Sequence, residues 1–336
     1  MKLAFLAFTE KGFALAGSLA QALGGTASRC GEPDSLSGWT QKQFAEADGL
    51  VFVGAVGIAV RAIAPLIEKK WKDPAVVAVD ECAQFAVPLL SGHLGGANRL
   101  ARAISEVCGA QAVVTTATDV NGVFAVDEWA VSQGLSVVDP QHIKHISGRL
   151  LAGESIRLYS TCPIEGECPP GVECTETLPA DVAVSVRRED VVLSLAPKVV
   201  VLGVGCRKGT PQSTIEEVLH RFLRQSGLRI ESICAVASID LKKEEPGLLA
   251  FCRSHGWTLE TRTAQQLCRT PGEFTPSAFV KQMTGVDNVC ERSAAAVSGG
   301  RVSVKKFAAD GVTMAAAEKS FRLHWNWKPA ERRGEQ

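Results

Sequence analysis

KVVVLGVGCRKGTP, residues 198–211, is an unbroken apolar run that ends in glycine and then in charge. A continuous run, rather than an alternating one, marks a strand covered on both faces, as in parallel sheets. The residues after it keep the same pattern. Ile215–Gln225 has apolar residues at helical spacing, LRIESICAVAS reads as a second strand, Gly247–His255 as a helix and Thr258–Thr261 as a third strand. VKKF and VTMAAAE flank Ala308-Ala309-Asp310-Gly311, and Asp-Gly between two such runs predicts a hairpin.

The alternation repeats nearer the N-terminus. Leu3–Phe8, Gly49–Val53, Pro74–Asp80, Phe85–Leu90 and Ala112–Thr116 read as strands, with helices at Phe13–Leu23, after Gly57 and at Gly96–Cys108. Strands alternating with helices give parallel sheets. The expected fold is therefore α/β: two open parallel-sheet α/β lobes, 1–126 and 198–322, joined by a small α+β middle segment, 127–197. Residues 323–336 read as a frayed polar tail. TCPIEGECPPGVECT (Thr161–Thr175) lies in the middle segment, and its Cys162, Cys168 and Cys174 lack the C-x2-C spacing of metal sites.

Composition narrows the function. Of 336 residues, 36 are Lys or Arg and 36 are Asp or Glu, so there is no basic excess of the kind nucleic-acid binding needs. No apolar run approaches the roughly 20 residues that span a bilayer, and Thr9-Glu10-Lys11 cuts LAFLAF short of a signal sequence. The 11 cysteines, an odd count without small-scaffold spacing, suit reduced thiols and a cytoplasmic location.

Ligands of open α/β sheets bind where strands end and helices begin, and two glycine-rich turns are expected there. In LSGHLGGAN (Leu90–Asn98), Gly92, Gly95 and Gly96 let the backbone approach a ligand. The next helix would offer free N–H groups, and Ser91, His93 and Asn98 add polar side chains. In GVGCRKGTP, Gly203, Gly205 and Gly209 precede a helix, with Thr210 or a Ser213–Glu216 capping box at its start. Arg207 and Lys208 favour an anion there. Cys206, beside that positive charge, is a candidate nucleophile. The spacing approximates a dinucleotide fingerprint with Glu231 as its acid, which keeps a nicotinamide-dependent reductase in view. Asp80 and Glu81, at a strand end, are candidate bases or ligand anchors. Arg61 follows the glycine turn at 54 to 57 and is a candidate to face an anionic ligand, with a solvated helix charge as the alternative. Glu291 and Lys305 are charges isolated in apolar stretches, for which paired burial is the plainer account.

Together, GIAVRAIAPLIEKKWKDPAVVAVDE, LSGHLGGANRLA, GVGCRKGT and VCERSAAAV with its following KK resemble the CbiG-type cobalt-precorrin-5A hydrolases of anaerobic cobalamin biosynthesis. The C-terminal half alone resembles CobE-type proteins. The resemblance implies opening of the ring-A δ-lactone of a cobalt-corrinoid by water and loss of acetaldehyde, giving cobalt-precorrin-5B. It implies no protein-bound cofactor, because cobalt arrives with the substrate. The roles assigned on this reading are proton transfer by His93 or Glu81, with Cys206 a further catalytic candidate. An oxyanion would be held by amides of Gly92–Gly96, and substrate carboxylates by Arg61, Arg207 and Lys208. The partners expected are the corrinoid, transient contact with pathway methyltransferases, and a homodimer, with no nucleic acid and no membrane. A corrinoid carrier without catalysis is the alternative.

Overall fold

Apolar runs become strands covered on both sides. LAFLA, GLVFV and AVVAV are buried at every position, and each buried Leu, Val or Phe contributes about 1.5–3 kcal/mol. The computed structural model describes residues 1–69 and 71–326. Contacts divide the chain into one unit of Met1–Val131 with Ser147–Glu154, and a second of Ser132–Ile146 with the residues from Ser155 onward.

The first unit runs β1 (Leu3–Ala7), α1 (Glu10–Leu23), β2 (Thr26–Arg29), α2 (Leu36–Glu46), β3 (Gly49–Val53), α3 (Val56–Ile63), β4 (Ala75–Val79), β5 (Phe85–Leu90), α4 (Ala97–Cys108), β6 (Gln111–Ala112), α5 (Ala117–Val120) and α6 (Val126–Ser132). Its sheet has the order β2-β1-β3-β4-β5-β6. Leu3, Val51, Val77 and Leu100 pack on one side of it and Leu6, Trp39, Phe52 and Ile63 on the other.

Two strands depart from the expected parallel pattern, β5 and the β6 that pairs parallel to it. β5 is antiparallel to β4, with Val76 opposite Leu90 and Val79 opposite Ala86. Only Asp80–Gln84 joins them, far short of the dozen or so residues a parallel crossover requires. Asp80 shapes that turn, its carboxylate accepting from the amides of Cys82, Gln84 and Phe85. β5 therefore ends beside the beginning of β4. The Ser91–Asn98 turn lies at the opposite end of these strands from Glu81, and Ser91 Oγ donates to Asp73 O at 2.9 Å.

The second unit holds β7 (Leu135–Val137), β8 (Ile156–Ser160), β9 (Ile164–Glu165), β10 (Val172–Thr175), β11 (Val182–Val184) and β12 (Leu193–Pro197), with the sheet order β10-β8-β11-β12-β7. α7 (Ile143–Leu151) gives its first residues to this unit and the rest to the other. The chain continues through β13 (Val200–Cys206), α8 (Gln212–Ser226), β14 (Ile233–Ile239), α9 (Pro246–His255), β15 (Thr258–Arg262), α10 (Ala264–Arg269), α11 (Ala278–Thr284), α12 (Val289–Ser298), β16 (Val302–Ala309) and β17 (Val312–Glu318). These strands form a third sheet, β15-β14-β13-β17-β16, in which β13 is parallel to β14 and antiparallel to β17. Asp310 and Gly311 both take positive φ, as a two-residue hairpin turn demands.

Leu323 and Trp325 are buried, and β18 (Leu323–His324) pairs with β9. The start of the expected tail is thus ordered, because the apolar residues at 323 and 325 alternate inward. The rest of that tail lies outside the described residues.

Candidate functional site

α4 begins at Gly96, whose φ of +86° places it in the left-handed region. Ser91 is left-handed as well, a strained conformation for a residue with a side chain. A Cβ on Gly95 would stand 2.3 Å from that of Ser91, so the glycine permits the turn to close on itself. Ala97 N donates to Ser91 O at 3.1 Å and Asn98 N to Gly92 O at 3.0 Å. Two helix amides expected to be free, those of Ala97 and Asn98, are thus consumed by the turn itself.

The turn carries His93 inward, to 6% exposure. Its Nε2 is 2.8 Å from Asp119 Oδ2 and its Nδ1 is 3.2 Å from Asp127 Oδ2. Asn98, also buried, donates to Thr116 Oγ1 at 2.7 Å and to Asp119 Oδ2 at 3.1 Å. Arg102, one turn along α4, binds Asp119 Oδ1 and reaches Glu128 Oε1 at 3.0 Å. α5 thus supplies Asp119, α6 supplies Asp127 and Glu128, and α4 supplies the cation.

Burial alone would lower the His93 pKa, but hydrogen bonds to Asp119 and Asp127 and their charges outweigh it, and it is pushed up to about 10. Burial would raise Asp119, yet His93 and Arg102 hold it down at about 2. The ring is therefore an imidazolium at neutral pH with both nitrogens donating to carboxylates. With both nitrogens engaged, the ring has no lone pair free to accept a proton. Glu128 differs. Burial, followed by the Asp119 charge, raises its pKa, and its Oε2 is buried with no hydrogen-bond partner among the described residues.

His93, Asp119 and Glu128 bring one ligand atom each within 4.8 Å of one another, a spacing that could hold a cation. Arg102 already binds both of those carboxylates.

The other expected residues lie apart from this cluster. Glu81 accepts from Thr9 Oγ1 at 2.7 Å. At about 3.3 Å per residue, the strand between Val76 and Asp80 spans roughly 13 Å, so Glu81 and His93 do not form one acid–base pair. Arg61 is exposed near the end of α3, and no ion pair holds it among the described residues.

In the third sheet, Gly203 and Gly205 face protein. A Cβ on Gly203 would meet Cys290 O of α12 at 1.9 Å, and one on Gly205 would meet Thr313 Oγ1 at 2.6 Å. α8 starts at Pro211 with no side-chain cap. Neither Thr210, whose hydroxyl donates to Arg207 O, nor Ser213 with Glu216 caps it. Glu231 precedes β14 rather than ending it. These placements remove the geometry of the dinucleotide reading. Burial pushes the Cys206 thiol up, with the opposing Lys242 charge too small to reverse it, contrary to the expected activated nucleophile. Glu291 is fully buried, accepting from Thr275 N, Thr275 Oγ1 and Lys306 N. Lys305 Nζ donates to Glu273 O at 2.6 Å. Glu291 is thus a structural tie, whereas the Lys305 side chain stays exposed.

Arg207 and Lys208 do stay exposed, and the amide of Gly209 donates to Glu245 Oε1 at 2.7 Å. They follow β13, while Lys242, Lys243 and the 68% exposed Leu241 follow β14. Sequence reading missed this second group, whose signal was the Leu-Lys-Lys run just after a strand. A cavity of about 390 Å³ lies beside Arg262 and Arg269, lined also by Ala295 and Ala296 of α12.

These features define an α/β protein with open sheets, a buried histidine–carboxylate cluster behind one glycine turn and an exposed Arg207–Lys208 pair at the end of the central strand β13 beside the other. Residues 38–119 match the family described as Cobalamin synthesis G N-terminal and residues 200–317 match Cobalamin synthesis G C-terminus, and the chain belongs to this cobalamin synthesis G family. It is 35% identical over 292 residues to the cobalt-precorrin-5A hydrolase of Salmonella typhimurium, covering 82% of this chain and 83% of that one. Protein CobE of Sinorhizobium sp is 32% identical over 105 residues, 31% of this chain and 68% of that one. A solved cobalamin biosynthesis protein G homolog from Sulfolobus solfataricus aligns over 94% of this chain and 97% of that one, at 21% identity and a TM-score of 0.43.

Proposed function

We propose that this chain hydrolyses cobalt-precorrin-5A, opening its ring-A δ-lactone and releasing acetaldehyde to give cobalt-precorrin-5B. The observation that carries the reading is its similarity, across most of its length, to a relative named for that hydrolysis. Cobalt is part of the substrate. In this reading Glu128 takes a proton from the attacking water, because its Oε2 is a buried carboxylate oxygen without a hydrogen-bond partner among the described residues. The amides of Gly92, Leu94 and Gly95 receive the developing oxyanion. His93 holds Asp119 and Asp127 in place, and Asp119 fixes Arg102 beside Glu128.

Water adds to the lactone carbonyl, and the ring C–O bond breaks to give a carboxylic acid and a hydroxyl on the extruded carbon. Glu128, having returned its first proton to that oxygen, then takes the hydroxyl proton as the carbonyl of acetaldehyde forms. The electron pair of the broken carbon–carbon bond stays on the macrocycle, which takes up a proton delivered by Glu128. Arg207 and Lys208, exposed after β13, suit the carboxylates around a corrinoid, and exposed Leu241 suits its apolar face.

The test is trapped acetaldehyde when purified protein meets the cobalt-precorrin-5A lactone. Stoichiometric release, lost on boiling, is expected, and E128Q lowers kcat by about 100-fold or more with KM little changed. A shift in the corrinoid spectrum with no acetaldehyde would replace this reading with that of a non-catalytic carrier.

A further inference from the structure

On the edge of the second sheet, the sulfurs of Cys168 and Cys174 lie 3.2 Å apart. Both residues are exposed free thiols. The chain between them reverses through Pro169-Pro170-Gly171. Gly171 takes a φ of +81°, Val172 N donates to Pro169 O at 3.1 Å, and the Cys168 thiol donates to Val172 O at 3.1 Å. Cys174 stands on β10, an edge strand paired only with β8. Shortening the gap to a covalent bond of about 2.05 Å therefore asks for movement only in an exposed turn and a free edge.

We propose that Cys168 and Cys174 are a modification site, a dithiol that takes up an internal disulfide by exchange with low-molecular-weight disulfides of the glutathione type. Burial and the hydrogen bond to Cys174 push the Cys168 thiol up to about 12, so Cys174 attacks first. Its thiolate displaces one glutathione thiolate and forms a mixed disulfide. Cys168, no longer facing a free thiol, then loses its proton and attacks Cys174 Sγ, expelling the second glutathione thiolate. One glutathione disulfide is reduced to two thiols, which take the two protons, and the protein pair is oxidised by two electrons.

The experiment treats the full chain with oxidised glutathione and maps its peptides. The expected product is a peptide linking Cys168 to Cys174, lighter by two hydrogens and restored by dithiothreitol. C168S and C174S instead each keep a glutathione adduct on the remaining cysteine. A Glu-specific protease should cut at Glu173, inside the closed loop, several-fold more slowly in the oxidised protein. The exposed Cys82 and Cys268 serve as internal controls. If they acquire glutathione while Cys168 and Cys174 stay free, or if this pair ends as two stable glutathione adducts, the proposal is overturned. Neither outcome bears on the hydrolase reading.

Discussion

In the Ser91–Asn98 turn the charge lies inside, where a buried imidazolium touches two carboxylates. In the Gly203–Gly209 stretch it lies outside, where Arg207 and Lys208 face solvent while Gly203 and Gly205 press against α12 and β17. The two stretches read alike in sequence, as glycine, a polar group and a following helix. What differs is the material packed behind each. α5 and α6 bring acids to the first turn, whereas α12 brings a backbone carbonyl to the second.

Removing His93 should have the largest effect on this contrast. H93A leaves Asp119 and Asp127 buried without their shared cation, so stability should fall by about 4 kcal/mol, as for other broken buried pairs. A urea titration measures it, and a loss below 1 kcal/mol would mean that the charges are not coupled. The same pair predicts a pH signature. Because the folded His93 pKa is raised to about 10, its stabilisation is complete below the ordinary imidazole value near 6.5. It is lost progressively as pH rises through about 10. The stability gap between wild type and H93A should narrow across that window, and a constant gap would contradict the assignment.

Next in size is G203A, which forces a Cβ to within 1.9 Å of Cys290 O and should cost about 3 kcal/mol by overpacking. If thermal unfolding is unchanged, α12 can shift, and the second turn is open to a ligand after all. The smallest effect on stability is expected for R207A/K208A, within about 0.5 kcal/mol as for other exposed sites. That variant should raise KM for the corrinoid while leaving kcat nearly intact. An unchanged KM would leave the exposed charges without a part in binding.

The sequence made the strands of the first and third sheets broadly legible, because β1, β3, β4 and β13 are continuous apolar runs with glycine or charge at their ends. It did not give the direction of β5. Asp80–Gln84 is too short for a crossover, yet a strand's polarity depends on which neighbour it joins, and composition does not state that. At the site, His93 and Asn98 were visible within their glycine motif. Asp119 and Asp127 were not, since they reach the cluster from short helices separated from the turn by α4. Their one signal was an acid set in apolar surroundings, as in FAVDEWA. The same signal at Glu291 marked a structural tie, so the pattern alone does not separate a working carboxylate from a fastening one.

The position of β13 also bears on how the chain is made. It lies between β14, which comes soon after it in the chain, and β17, which comes only after α12 and β16. During synthesis one side of this apolar strand therefore stays open until Val312–Glu318 has left the ribosome. For that interval the nascent chain presents an unpaired, β-branched edge to its neighbours, and a stop codon placed just before β17 would make that exposure permanent.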